Sequence, residues 1–155
     1  MSRQNARSNP PPELHIANRQ RALRVDLARI RRLAHAAIPL CLDIRGPQPP
    51  VLPDLAEVSV AIISSTAMSR VHVDFLGIAG PTDVITFPYG EIVVCAEVAR
   101  ENALRYDATP DDELALYIIH GLLHLNGFDD VKPAQARSMH SRQAKILNAA
   151  RKSLI

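Results

Sequence analysis

Apolar and polar positions alternate early in the chain. Leu14 and Ile16 are set against His15 and the small Ala17, a period of two that predicts a strand over 14–18. The period then changes. Leu23, Leu27, Ile30, Leu33 and Ala34 recur at helical spacing, with Arg29, Arg31, Arg32 and His35 on other faces. This predicts a helix over 24–37 that stops before Pro39. Residues 46–53 carry four prolines and read as a loop. Residues 57–63 read as a buried strand and 65–75 as a short helix. The turn Gly80-Pro81-Thr82 leads into a strand over 83–87, and Pro88-Tyr89-Gly90 turns it back into an antiparallel strand over 91–95. A helix is predicted over 96–106. Thr109-Pro110-Asp111-Asp112-Glu113 then supplies a cap, a first-turn proline and acids at the positive helix end. The helix it starts runs to Leu125, with Gly127 placed to end it, and is apolar nearly all round, so it is expected at the centre. Pro133 opens a last helix to about 150, with Ala136, Met139, Gln143, Ile146 and Leu147 on one stripe. Four strand-like and four or five helical segments, interleaved, indicate a mixed α/β or α+β domain.

Composition narrows the class. The chain has 155 residues, 47% hydrophobic and 22% charged, which suits one globular domain. The expected organisation is a disordered arm over 1–12, ending in three prolines, and a single domain over 13–155. The net charge of +2 conceals a division. Residues 1–32 hold eight Arg against Glu13 and Asp26, a net +6; the remainder holds ten basic and fourteen acidic residues, a net −4. Cys41 and Cys95 offer no disulfide framework and sit in apolar surroundings, as core residues do. No apolar run reaches the roughly 18–20 residues of a membrane span, and the N-terminus has no signal-peptide hydrophobic region. A cytoplasmic protein without membrane contact is expected.

The candidate chemistry lies in 120–130, which reads HGLLHLNGFDD. His120 and His124, four apart on a helix, project from one face and can share one ion. Gly127 lets the chain leave the helix and turn back, so that Asp130 can present a third ligand. The spacing H-x-x-x-H-x-x-G-x-x-D follows the metzincin zinc pattern with Asp in the last place. Three protein ligands would leave a position for water, whose pKa zinc lowers to about 7. Asp129 competes with Asp130 for the ligand role or caps the turn, and His140 is a more distant ligand candidate. A peptidase would carry Glu as general base where this chain has Gly121, which argues against peptide hydrolysis.

These residues resemble a known family, the YbeY endoribonucleases of bacterial rRNA maturation. The family motif H-G-x-x-H-L-x-G-Y-D-H appears here as residues 120–130, and P-T-D-V-L-S-F-P appears as Pro81 to Pro88, PTDVITFP. The following G-D-I becomes Gly90-Glu91-Ile92. The resemblance covers residues 13–150 and implies an α+β fold: a small mixed sheet of about four strands packed against four to five helices, with a zincin-like metal helix. It implies one Zn2+ per chain held by His120, His124 and Asp130, and zinc-dependent, single-strand-specific cleavage of RNA. The context it implies is maturation of the 3′ end of 16S rRNA and ribosome quality control, with the small ribosomal subunit and ribosomal proteins as partners.

Two departures bear on that expectation. The family's third ligand is His; here it is Asp130. The family's Y-R-G-K-D-x stands here as Phe75 to Gly80, FLGIAG, so the family Arg is Leu76. Leu cannot hold a phosphate as a guanidinium does. The alternative function is therefore a ribosome-assembly or RNA-binding factor that keeps the metal site with weakened catalysis; a third is a metal-dependent hydrolase of another substrate. Arg19, Arg21 and Arg24, with Arg31 and Arg32, either contact RNA phosphates or form a solvated face. Thr82 and Asp83 either hold a turn or line the cleft, and Arg70 and His72 are candidates to replace the lost Arg. Phe128 is expected to pack under the metal turn. The aromatic residues look too scattered for a base-stacking platform.

Overall fold

A computed structural model of the chain describes residues 9–155. Most of the expected N-terminal arm, residues 1–8, lies outside the described residues. The described chain is α+β, with element order β1 (Glu13–Asn18), α1 (Leu27–Leu42), β2 (Glu57–Ile63), α2 (Ser65–Leu76), β3 (Val84–Phe87), β4 (Glu91–Cys95), α3 (Ala96–Arg105), α4 (Pro110–Leu125) and α5 (Pro133–Ser153). A short 3-10 turn, Leu52–Asp54, interrupts the proline-rich loop.

The strands form one mixed sheet in the order β1-β2-β4-β3. β1, β2 and β4 run parallel, and β3 returns antiparallel on β4, with Val84 opposite Val94 and Phe87 opposite Glu91. The alternation of Leu14 and Ile16 with exposed neighbours sets which face of β1 is buried. That face joins Val58, Val60, Ile62, Ile92 and Val94 in the main core beneath α1, α4 and α5. On the opposite face α2 covers a smaller cluster of Ile63, Met68, Ile85, Val93 and Cys95.

Helix α1 differs from its expected bounds at both ends. It starts at Leu27 because the Asp26 side chain accepts the Arg29 N–H, a cap that outcompetes a start at Arg24. It continues through Pro39 to Leu42. Pro39 faces solvent, where the carbonyl it leaves unpaired can be hydrated, while Ile38 and Cys41 on either side are buried against α4 and α5. Burial of that stripe outweighs the one lost hydrogen bond. The Cys41 thiol, pushed up to about 12 by burial, behaves as a core group.

Helix α4 is central, as its composition predicts. It packs against α1, α3, α5, β3 and β4. Its close approach to β4 depends on Gly121, where a Cβ would sit 2.7 Å from Ile92 Cδ1. Its end is a Schellman motif: the Gly127 N–H donates to the His124 carbonyl (3.1 Å) and the Phe128 N–H to the Leu123 carbonyl (3.0 Å). Gly127 has φ +94°, and a Cβ there would collide with the Gln48 carbonyl. Beside it, the Gly46, Gln48 and Val51 N–H groups donate to the carbonyls of Asn126, Gly127 and Leu125. The proline-rich loop is thus a clamp that fixes the chain between α4 and Asp130.

Candidate metal centre

His120 and His124 lie one turn apart on α4, and the Schellman turn carries Asp130 back over them. The two Nε2 atoms are 3.0 Å apart; Asp130 Oδ2 is 3.4 Å from His120 Nε2 and Oδ1 is 3.5 Å from His124 Nε2. Both rings are held from behind. The His124 Nδ1 donates to the Phe128 carbonyl (3.0 Å), and the His120 Nδ1 donates to Gln143 Oε1 (2.8 Å). With a proton on Nδ1, each ring directs its Nε2 at one point, where Asp130 adds a carboxylate oxygen. Converging lone pairs repel unless a cation sits among them, so this donor set fits a metal ion. Among the described residues, these three are the cluster whose ligand atoms lie close enough for one ion. Burial holds the His120 pKa below the ordinary 6.5, with the Gln143 hydrogen bond opposing and the neighbouring His124 adding to the depression. The ring is therefore neutral and ready to ligate at pH 7.

The other candidates separate cleanly. Asp129 turns inward on its own loop, its Oδ1 accepting the Asp130 N–H at 2.8 Å. His140 lies 3.5 Å from Gln143 Nε2 and is not among the converging ligand atoms. Phe128 is buried under the turn, with Arg142 over its ring at 5.1 Å. Thr82 and Asp83 do both things expected of them: Asp83 Oδ1 accepts the Val84 N–H at 2.8 Å, and both side chains line the cleft. Arg19, Arg21 and Arg24 are exposed and do not line that cleft. Arg31 donates to the Ile16 carbonyl and Arg29 pairs with Asp112, so two arginines of the basic front brace the fold.

The metal cluster opens into a cleft of about 1120 Å3 bounded by α4, β3, α5 and the end of α2. Leu76, in the place of the family Arg, is 55% exposed on its wall. His72 also lines it, its Nδ1 fixed by the Gly80 carbonyl at 2.8 Å, whereas Arg70 does not. Among the described residues the lining holds Asp83, Glu113 and Asp130 but no Lys or Arg. The aromatic residues are less scattered than the sequence implies. The turn and α2 bring Phe75, Phe87 and Tyr89 together, with Phe75 edge-on to Phe87 at 5.1 Å and Tyr89 stacked on Phe87 at 5.6 Å.

Two roles escaped the reading of the sequence. Gln143 falls on the core stripe of α5, where a polar residue among Met139, Ile146 and Leu147 is the available signal. It is buried and orients His120. Gln143→Leu is expected to lower metal affinity about 10–100-fold with the fold retained, as measured by chelator competition. Glu113 was read only as a helix-start acid. It is 8% exposed; burial raises its pKa, the Tyr117 hydrogen bond opposes, and Asp83 and Asp112 raise it further. Its folded pKa lies above the unfolded value, so the native state loses stability as pH rises from 4.5 through the folded value. Glu113→Gln removes that loss. Chemical denaturation should find the variant more stable than wild type at pH 8, with the advantage shrinking towards pH 4.

The fold and the cluster together define a small α+β protein whose central helix and the turn after it bring together side chains able to hold a metal ion. The sequence profile described as Endoribonuclease YbeY matches residues 15–151. An endoribonuclease YbeY from Leifsonia xyli subsp. xyli is 35% identical over 147 residues, 84% of this chain and 90% of the relative. One from Frankia casuarinae is 34% identical over 152 residues, 85% of this chain and 71% of the relative. A solution structure of a Thermotoga maritima protein matches with a TM-score of 0.59 and 25% identity, covering 91% of each chain. The chain belongs to the YbeY endoribonuclease family.

Proposed function

We propose that this protein is a zinc-dependent endoribonuclease acting on single-stranded RNA in rRNA maturation, including the 3′ end of 16S rRNA, and in ribosome quality control. The observation that carries the reading is the convergence of His120, His124 and Asp130 in an open cleft of a YbeY-family fold. Two imidazoles and a carboxylate are a borderline-soft set of the kind catalytic zinc takes. Zinc bound there supplies Lewis acidity for a phosphoryl oxygen and acidifies a water towards neutral pKa.

The chain's own residues do the rest. Gln143 and the Phe128 carbonyl fix the two rings, and the clamp at Gly46–Val51 fixes the turn that carries Asp130. Leu76 leaves its wall of the cleft without a guanidinium, so charge growing on the phosphate finds no Lys or Arg in the lining among the described residues. Slow cleavage follows. The partners are rRNA, the small ribosomal subunit and its proteins, in the cytoplasm; no helix of the described residues is long and apolar enough to cross a membrane.

The test is zinc-reconstituted protein on structured rRNA, comparing wild type, Asp130→His and Leu76→Arg. Cleavage is expected from wild type, with Leu76→Arg faster by about tenfold. No cleavage from any of the three would sink the enzymatic reading and favour the assembly factor, a reading that the exposed Leu76 on the cleft wall supports.

A further inference from the structure

Among the described residues no strand pairs with the outer edge of the sheet beside the His120–His124–Asp130 cluster. β3 is an edge strand. The Cys95 N–H donates to the Asp83 carbonyl, so Asp83 turns its backbone groups towards β4. The ladder alternates, so Ile85 and Phe87 do the same, opposite Val93 and Glu91. Val84 and Thr86 therefore direct their backbone groups outward. The Val84 N–H is taken by Asp83 Oδ1. That leaves the Val84 carbonyl and both the N–H and carbonyl of Thr86, to which no group among the described residues is bonded. Val84, Ile85 and Thr86 all line the cleft that holds His120, His124 and Asp130.

We propose that this edge receives an extended peptide bearing Lys or Arg, added to the sheet as a further strand across the mouth of the metal site. Backbone complementarity is the first argument. An acceptor, a donor and an acceptor in strand spacing match a polyamide, and strand addition is a recurrent way to bind an extended peptide. Charge is the second. Asp83 flanks the edge, Glu113 and Asp130 share its cleft, and the described lining offers no Lys or Arg to oppose them. The third is shape. Alternate side chains of an added strand would meet Leu76 and Pro88 on one side and Leu116 on the other, all lining the same cleft. The edge shares one cleft with His120, His124 and Asp130, so a peptide bound there would compete with RNA for that cleft. The inference does not depend on catalysis: it concerns what the edge binds, and it stands or falls without an activity assay.

The probe is a fluorescein-labelled heptapeptide, Val-Lys-Val-Lys-Val-Lys-Val, titrated into the purified protein by anisotropy. Its controls are the Glu-for-Lys peptide and two versions N-methylated on alternate residues. The Lys peptide is expected to bind, and the Glu peptide at least about tenfold more weakly. One N-methylated set should lose at least about tenfold and the other little, because only alternate amides face a neighbouring strand. The Thr86 amide, without a bonded partner among the described residues, should be protected by the Lys peptide in hydrogen-exchange NMR. Equal binding of both N-methylated sets and the parent peptide would reduce the interaction to charge alone and overturn the proposal. So would an unchanged Thr86 amide. A single-stranded oligodeoxynucleotide that protects Thr86 where the peptide does not would assign the edge to nucleic acid instead.

Discussion

His124→Ala is expected to leave the protein without bound zinc and without RNA cleavage, while the fold persists. The ring supplies one of three converging ligand atoms, and its Nε2 lies 3.0 Å from that of His120. Removing it leaves one imidazole and a half-exposed carboxylate, too few donors to retain zinc against a mild chelator. A metal ion contributes several kcal/mol to stabilising phosphoryl-transfer charge; a loss of about 4 kcal/mol is about a thousandfold in rate. The fold survives because the His124 side chain is part-exposed at the cleft and the Schellman bonds that end α4 run through the backbone. Zinc content by plasma emission and cleavage of an rRNA fragment are the two readings, with circular dichroism as control. The wild type carries its own pH signature. His120 is held neutral by burial below the ordinary 6.5, so zinc should stay bound at pH 7 and leave only on acidification below that value. Zinc retained at full stoichiometry by His124→Ala would remove this site from the account.

The convergence of His120, His124 and Asp130 was legible in the sequence because their relation is local. Two histidines at i and i+4 and a carboxylate six residues past the second need only a helix and a glycine exit to meet, and both signals are present in 120–130. The strands were legible from equally local signals: β1 writes its one buried face into its alternation, and β4, buried on both faces, reads as a short apolar run. What was not legible depends on partners distant in the chain. Pro39 stops a helix in isolation, yet α1 runs past it because Ile38 and Cys41 find α4 and α5. Gln143 looks like a flawed core position until α5 is laid beside His120, 23 residues earlier. The cluster of Phe75, Phe87 and Tyr89 exists only once α2 packs over β3. In the basic front, Arg29 and Arg31 are engaged with Asp112 and the Ile16 carbonyl, partners that a run of arginines does not reveal, whereas Arg19, Arg21 and Arg24 are exposed.

Gly121→Glu is expected to unfold the protein, and not to convert it into a peptidase. The change would restore to the His-x-x-x-His segment the general base that a zinc peptidase carries. In this fold position 121 faces Ile92 of β4. A Cβ alone would lie 2.7 Å from Ile92 Cδ1 and 3.0 Å from both Cγ atoms of that side chain, all within the main core. Gly in a helix interior costs about 1 kcal/mol relative to Ala, and that cost is accepted here because it lets α4 and β4 approach. Overpacking a core position costs about 1–3 kcal/mol, and a carboxylate buried there without a partner adds several more. The sum takes most of the roughly 5–15 kcal/mol of a domain of ordinary stability. Urea denaturation should show Gly121→Glu unfolded or nearly so, and Gly121→Ala folded but weakened by up to about 2 kcal/mol, the overpacking cost less the gain in helix propensity. The clash is with one named side chain, so Ile92→Val in the Gly121→Ala background should recover part of the loss, although the same change alone destabilises by about 0.5–1.5 kcal/mol. The sign reversal of that one substitution between backgrounds is the critical reading. Simple additivity would mean that α4 and β4 do not meet at Gly121 as described, and that the missing peptidase base has some cause other than packing.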